Sequence, residues 1–179
     1  MKYMSAPHGP FLTAPLEDDD LALVQVIYHA TFARHNDADF TESWCHRNRQ
    51  SSMGLFYKAT LIGFGIVVCE QTTNRIVFLA VDAAYRGSGA GSQLLEDVLA
   101  TLDYCYLVPV NNLKVIDWYQ RHGFVRISAE RNYAADEAHF IMTYLRIREK
   151  WTHLLSPETI SLPSPTISRE GSDLSIISI

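Results

Sequence analysis

An unbroken apolar stretch, Ile76 to Val81, runs through Asp82 into Arg86-Gly87-Ser88-Gly89-Ala90-Gly91, after which Leu94, Leu95, Val98, Leu99 and Leu102 recur at helical spacing. Apolar residues without alternation read as a strand buried on both faces, and the later spacing marks one face of a helix. Strand, glycine turn and helix joined in this order commit the chain to a sheet with helices packed on it. The turn has a second property. The first N–H groups of a helix have no backbone partner, and the helix dipole adds positive potential there, so such a start favours phosphate. Glycine lets the backbone approach an anion without a Cβ in the way. Arg86 at the mouth adds a charge that can reach phosphate oxygens.

Residue identity excludes two phosphate ligands. A dinucleotide fingerprint requires G-x-G-x-x-G, whereas Gly87, Gly89 and Gly91 are spaced G-x-G-x-G and position 92 is Ser. A nucleotide-hydrolysing loop requires Gly-Lys-Ser/Thr, and no lysine lies between Lys58 and Lys114.

The rest of the chain fits one α/β domain. It has 179 residues, 47% hydrophobic and 20% charged, enough for a real core. Strands are expected over 11–16, 55–60, 62–70, 75–81, 104–108, 125–132 and 139–145. Glu17 to Asp20 are expected to cap a helix bearing Val24, Ile27, Tyr28 and Thr31. Residues 35–50 read as loop and short helix. A later helix starts at Asn111 and Asn112 and closes at Gly123. Residues 156–179 contain seven Ser, two Thr and three Pro and are expected to form a flexible tail behind a single domain over 1–155.

Other classes drop out. The net charge of −5 argues against nucleic-acid binding. The longest apolar run, 61–69, falls well short of the roughly 18 residues that cross a bilayer, so no membrane partner is expected. The first residues show no apolar signal region. Cys45, Cys69 and Cys105 are widely spaced, which fits reduced thiols in a cytoplasmic protein. The seven histidines show no ligand spacing, so no metal is expected.

Two segments together carry a resemblance. Arg86-x-x-Gly89-x-Gly91 follows Leu79-Ala80-Val81-Asp82, and downstream Val108-x-x-x-Asn112 leads into Trp118-Tyr119-Gln120-Arg121-His122-Gly123-Phe124. In this order they resemble the GNAT superfamily of acyl-coenzyme A-dependent N-acetyltransferases, specifically over about 62–145. The resemblance implies a mixed, mostly antiparallel sheet of six to seven strands flanked by about four helices, splayed between the fourth and fifth strands. It implies acetyl-coenzyme A as co-substrate. The backbone of Leu79, Ala80 and Val81 would pair with the pantetheine arm, as an added strand does. Residues Arg86, Gly87, Ser88, Gly89, Ala90 and Gly91 would hold the pyrophosphate, and Asn112 would line the channel.

Direct acyl transfer from a thioester to an amine needs a free amine, a donor for the developing oxyanion and a proton for the departing thiolate. Tyr119 occupies the family position for that last role. The base stays open: Glu70 is named first, with His139, His46, Asp82 and a water chain as alternatives. The family's acceptor site is walled here by 29–52 and 128–139, where Asp37, Asp39, Glu42, Asp136 and Glu137 can attract an ammonium. A small-molecule amine is the first expected acceptor and a protein lysine or N-terminus the second. A non-catalytic acyl-coenzyme A sensor or scaffold is the rival class, and a homodimer is left open.

Overall fold

The structure, a computed structural model, describes residues 10–32, 36–110, 112–132 and 137–146. Its strands are β1 (Phe11–Pro15), β2 (Met53–Tyr57), β3 (Thr60–Glu70), β4 (Thr73–Val81), β5 (Tyr104–Leu107), β6 (Val125–Asn132) and β7 (Glu137–Leu145). The helices are α1 (Leu21–Thr31), α2 (Asp37–Cys45), α3 (Ala90–Ala100) and α4 (Leu113–Arg121). All seven strands join one sheet in the order β1-β2-β3-β4-β5-β7-β6. Every pairing is antiparallel except β4 with β5. The expected boundary at 155, the tail, Asn111 and Asp136 lie outside the described residues.

Two apolar layers bury the sheet. Val24, Ile27 and Tyr28 of α1 and Phe40 and Trp44 of α2 meet Phe64, Ile66, Phe78 and Ala80. On the opposite face Leu94, Leu95 and Val98 of α3 and Ile116 and Tyr119 of α4 meet Ile62, Val67, Ile76, Val81, Cys105 and Leu107. Ile76 and Phe78 are two positions apart yet face opposite layers. The ladder shows why: Ile66 pairs with Phe78 and Val67 with Ile76, leaving Val77 as an extra residue in β4. Such a bulge reverses the facing of the strand beyond it and increases its local twist.

The acidic run ahead of α1 differs from its expected role. Asp18, Asp19 and Asp20 form a 3₁₀ turn of their own, and α1 begins with no side-chain cap. Asp18 instead accepts from Arg47 at 2.6 Å and from Arg49 at 2.9 Å, and Asp20 accepts from the Glu17 N–H at 2.8 Å. The cause is Arg47, whose side chain is 2% exposed and lies 3.9 Å above the Trp44 ring. A buried cation without a counter-charge is costly, so the carboxylate goes to it.

Candidate active site

β4 pairs with β3 along its whole length but with β5 at only two positions, Asn74↔Cys105 and Arg75↔Tyr106. β5 ends at Leu107, and Pro109, which has no N–H, follows. From Ile76 to Val81, therefore, the second edge of β4 has no ladder partner among the described residues. Each backbone group buried there unpaired would cost about 1–3 kcal/mol. The opening suits a ligand that carries amide groups of its own. Leu79, Ala80 and Val81 lie on this edge, with Gly65, Phe64 and Gly63 opposite them in β3.

At the top of β4, Asp82 accepts from the Ala84 N–H at 2.9 Å and so starts a single 3₁₀ turn over Ala83–Tyr85. Gly87 and Gly89 then adopt φ +78° and +88°, a region that glycine enters without strain. A Cβ built on either would meet nothing within 4 Å, so the backbone angle rather than crowding calls for glycine. α3 begins at Ala90 with no side-chain cap, and its first amides are left for an anion.

Arg86 sits otherwise than expected. Its Nε donates to the Val81 carbonyl at 2.9 Å and its guanidinium to Thr31 Oγ1 at 3.2 Å. The side chain braces the turn against β4 and α1. Ser88 likewise donates to the Tyr85 carbonyl at 2.6 Å. Trp118, which the sequence motif contains but to which it assigns no role, borders the same turn: its Nε1 donates to Ser92 Oγ at 3.4 Å, and its ring lies 3.8 Å from where a Gly91 Cβ would be.

Tyr119 lies one residue on, against Trp118 and Phe124 at ring distances of 4.8 and 5.4 Å. It is 9% exposed, and burial pushes its phenol up to about 12. Its hydroxyl makes no hydrogen bond to another described residue. Asn112 caps α4, accepting from the Lys114 N–H at 2.9 Å, in the loop that leads away from β5.

Glu70 stands at the other end of β4, where β3 turns into it. Its carboxylate takes Arg75 at 3.1 Å and accepts a short hydrogen bond from the Tyr106 hydroxyl. Partial burial raises the carboxyl, but these two donors outweigh it and hold it below the usual range. Burial, and then the Glu70 bond, push the Tyr106 phenol up to about 12. Arg75 and Tyr106 form the last rung before the strands part. Neither was singled out from the sequence. Glu70 and Tyr106, with Tyr104, Ile127, Ile141 and Thr143, line a cavity of about 450 Å³.

The remaining candidates stand apart. Asp82 serves the 3₁₀ turn, His46 is the exposed C-cap of α2, and Asp37 lies 3.6 Å from His29. His139 and Glu137 occupy strand positions opposite Glu130 and Asn132. Among the described residues no His, Cys, Asp and Glu cluster is arranged to hold a metal.

Comparison with known proteins bears on this geometry. A family model described as an acetyltransferase (GNAT) domain matches residues 50–126. The chain is similar to N-alpha-acetyltransferase 50 of Danio rerio, with 32% identity over 123 residues, 62% of this chain and 66% of that protein, a little under two thirds of its length. Among solved structures, Ard1 from Thermoplasma volcanium superposes with a TM-score of 0.68 at 21% identity, covering 78% of this chain and 100% of that one. Arabidopsis thaliana Naa50, in complex with the bisubstrate analogue CoA-Ac-MVNAL, superposes with a TM-score of 0.64 at 22% identity, covering 77% and 100%.

Proposed function

Because the chain belongs to the GNAT superfamily, we propose that it transfers an acetyl group from acetyl-coenzyme A to the α-amino group of a polypeptide N-terminus. The observation that carries this reading is the parting of β4 from β5 directly below the uncapped start of α3. A diphosphate at the amides of Gly87 to Gly91 places its pantetheine amides along the free edge of β4. The thioester then reaches toward the rung of Arg75 and Tyr106. Tyr119, protonated throughout the physiological range, donates to the sulfur as it leaves.

The acceptor follows from acid–base chemistry and from the relatives. An α-amino group titrates near 7.7–8.0 and a lysine near 10.4, so at pH 7.4 about a quarter of the first is free base and about a thousandth of the second. Glu70, held ionised by Arg75 and Tyr106, is a weak base, and a weak base suits an amine of which a sizeable fraction is already free. The zebrafish relative is named for N-alpha acetylation and the Arabidopsis structure holds a peptide-bearing analogue. A small-molecule amine is the second reading, favoured by the cavity of about 450 Å³, within the range of small-ligand sites.

The test is coenzyme A release with three acceptor sets: peptides with a free N-terminus, the same peptides blocked at the N-terminus but carrying lysine, and small amines. Release with the first set alone is the expected result. Release with small amines alone favours the second reading. Tight binding with no release from any set points instead to a non-catalytic module.

A further inference from the structure

The clearest unassigned chemistry lies at the closed end of the cleft. Cys105 and Leu107 belong to the layer beneath α3 and α4, so by strand alternation Tyr106 faces the other side of the sheet. There it meets Glu70 from β3 and Arg75 from β4. Tyr104 is the other titratable group close to it. Among the described residues, β6 and β7 bring Ile127, Ile141 and Thr143 to the cavity, none of which titrates. Tyr106 thus opens onto a cavity on the face away from the phosphate turn's helix, at the level where the strands separate.

The phenol's proton is committed. It lies on the hydrogen bond to Glu70, which leaves the oxygen lone pairs for a donor arriving through the cavity. A hydroxyl that donates to a carboxylate becomes a better acceptor in turn. Arg75 holds the second carboxylate oxygen at 3.1 Å, and its guanidinium carbon lies 5.9 Å from the Tyr106 ring centroid. It therefore fixes the geometry of the pair from behind.

Resting on the acetyltransferase reading above, we propose that Tyr106 receives the acceptor amine and relays its proton to Glu70, with Arg75 as the positioning residue. The acceptor enters as the free amine and gives one N–H to the phenol oxygen. As the nitrogen lone pair forms the new bond to the thioester carbon, the C–S bond breaks. The nitrogen's proton passes to the phenol oxygen and the phenol's own proton passes to Glu70. The departing thiolate takes a proton from Tyr119, and the Tyr119 phenolate regains one from solvent to close the cycle. Glu70, 41% exposed, returns its proton to solvent. Ile127 and Ile141 give the wall next to this point an apolar character, so an acceptor with an apolar group beside its amine is favoured.

The experiment uses the full chain and the best peptide acceptor from the release assay. Tyr106→Phe is expected to lower acceptor kcat/KM by about 10²–10⁴-fold, the usual range for a lost acid–base group, with acetyl-coenzyme A affinity within about twofold of wild type. Glu70→Gln keeps an acceptor for the phenol but not the proton sink. It is expected to lower kcat with little change in KM. Because Glu70→Gln preserves the hydrogen bond, it also serves if Tyr106→Phe does not fold. Wild-type kcat/KM in folded Tyr106→Phe, or wild-type kcat in folded Glu70→Gln, overturns the relay and leaves the acetyltransferase reading standing. No release by the wild type with any amine overturns both.

Discussion

Tyr119 illustrates what a single side chain owes to its surroundings. Packed between Trp118 and Phe124, its phenol is pushed up to about 12. It stays protonated at any working pH, so its ionisation should not appear as an alkaline limb below about pH 10. Tyr119→Phe is expected to lower kcat by about a hundredfold or more without altering the shape of the pH profile. A limb near pH 8–9 that vanishes in the variant would contradict the assignment. Tyr119 was legible because Gly123 and Phe124 stand beside it in the sequence. Tyr106 was not. Within 104–108 it reads as one more residue of an apolar strand, and its partner Glu70 is 36 positions away. A hydrogen bond between distant strands leaves no local signal.

At the scale of the element, the phosphate turn was legible and its bracing was not. Three glycines between an apolar run and a helix mark the turn, but nothing local says that Arg86 reaches back to Val81 and across to Thr31, 55 positions away. The bulge at Val77 was equally hidden, since an extra residue shows only against the partner strand. Two substitutions probe this element. Gly89→Ala places a Cβ at φ +88° and is expected to cost about 1–2 kcal/mol of stability, read by denaturant unfolding. No loss would mean that the turn relaxes to ordinary angles. Gly89→Glu also puts a negative charge at the anion position. It should weaken acetyl-coenzyme A at least tenfold by calorimetry, and unchanged affinity would place the diphosphate elsewhere.

For the molecule as a whole, the sheet with helices on both faces and the separation of its fourth and fifth strands were both expected from the sequence. Order and register were the harder part, because β7 inserts between β5 and β6 and only long-range pairing decides that. The Asp18, Arg47 and Arg49 cluster, also invisible locally, ties the segment ahead of α1 to the one after α2. The two arginines hold the Asp18 carboxyl below its usual value. A carboxyl depressed by folding stabilises the fold above its unfolded pKa and loses that contribution as the pH falls through its folded pKa. The Tm difference between wild type and Asp18→Asn should therefore be largest near neutrality and close toward pH 3. A difference constant over that range would show that the pair contributes nothing through charge.

The account turns on where acetyl-coenzyme A lies, and amide hydrogen exchange with and without it addresses this directly. Slowed exchange is expected along residues 76–81, the open edge of β4, and at 87–92, the turn and the start of α3. Unchanged exchange in both stretches, with protection elsewhere or nowhere, would contradict it.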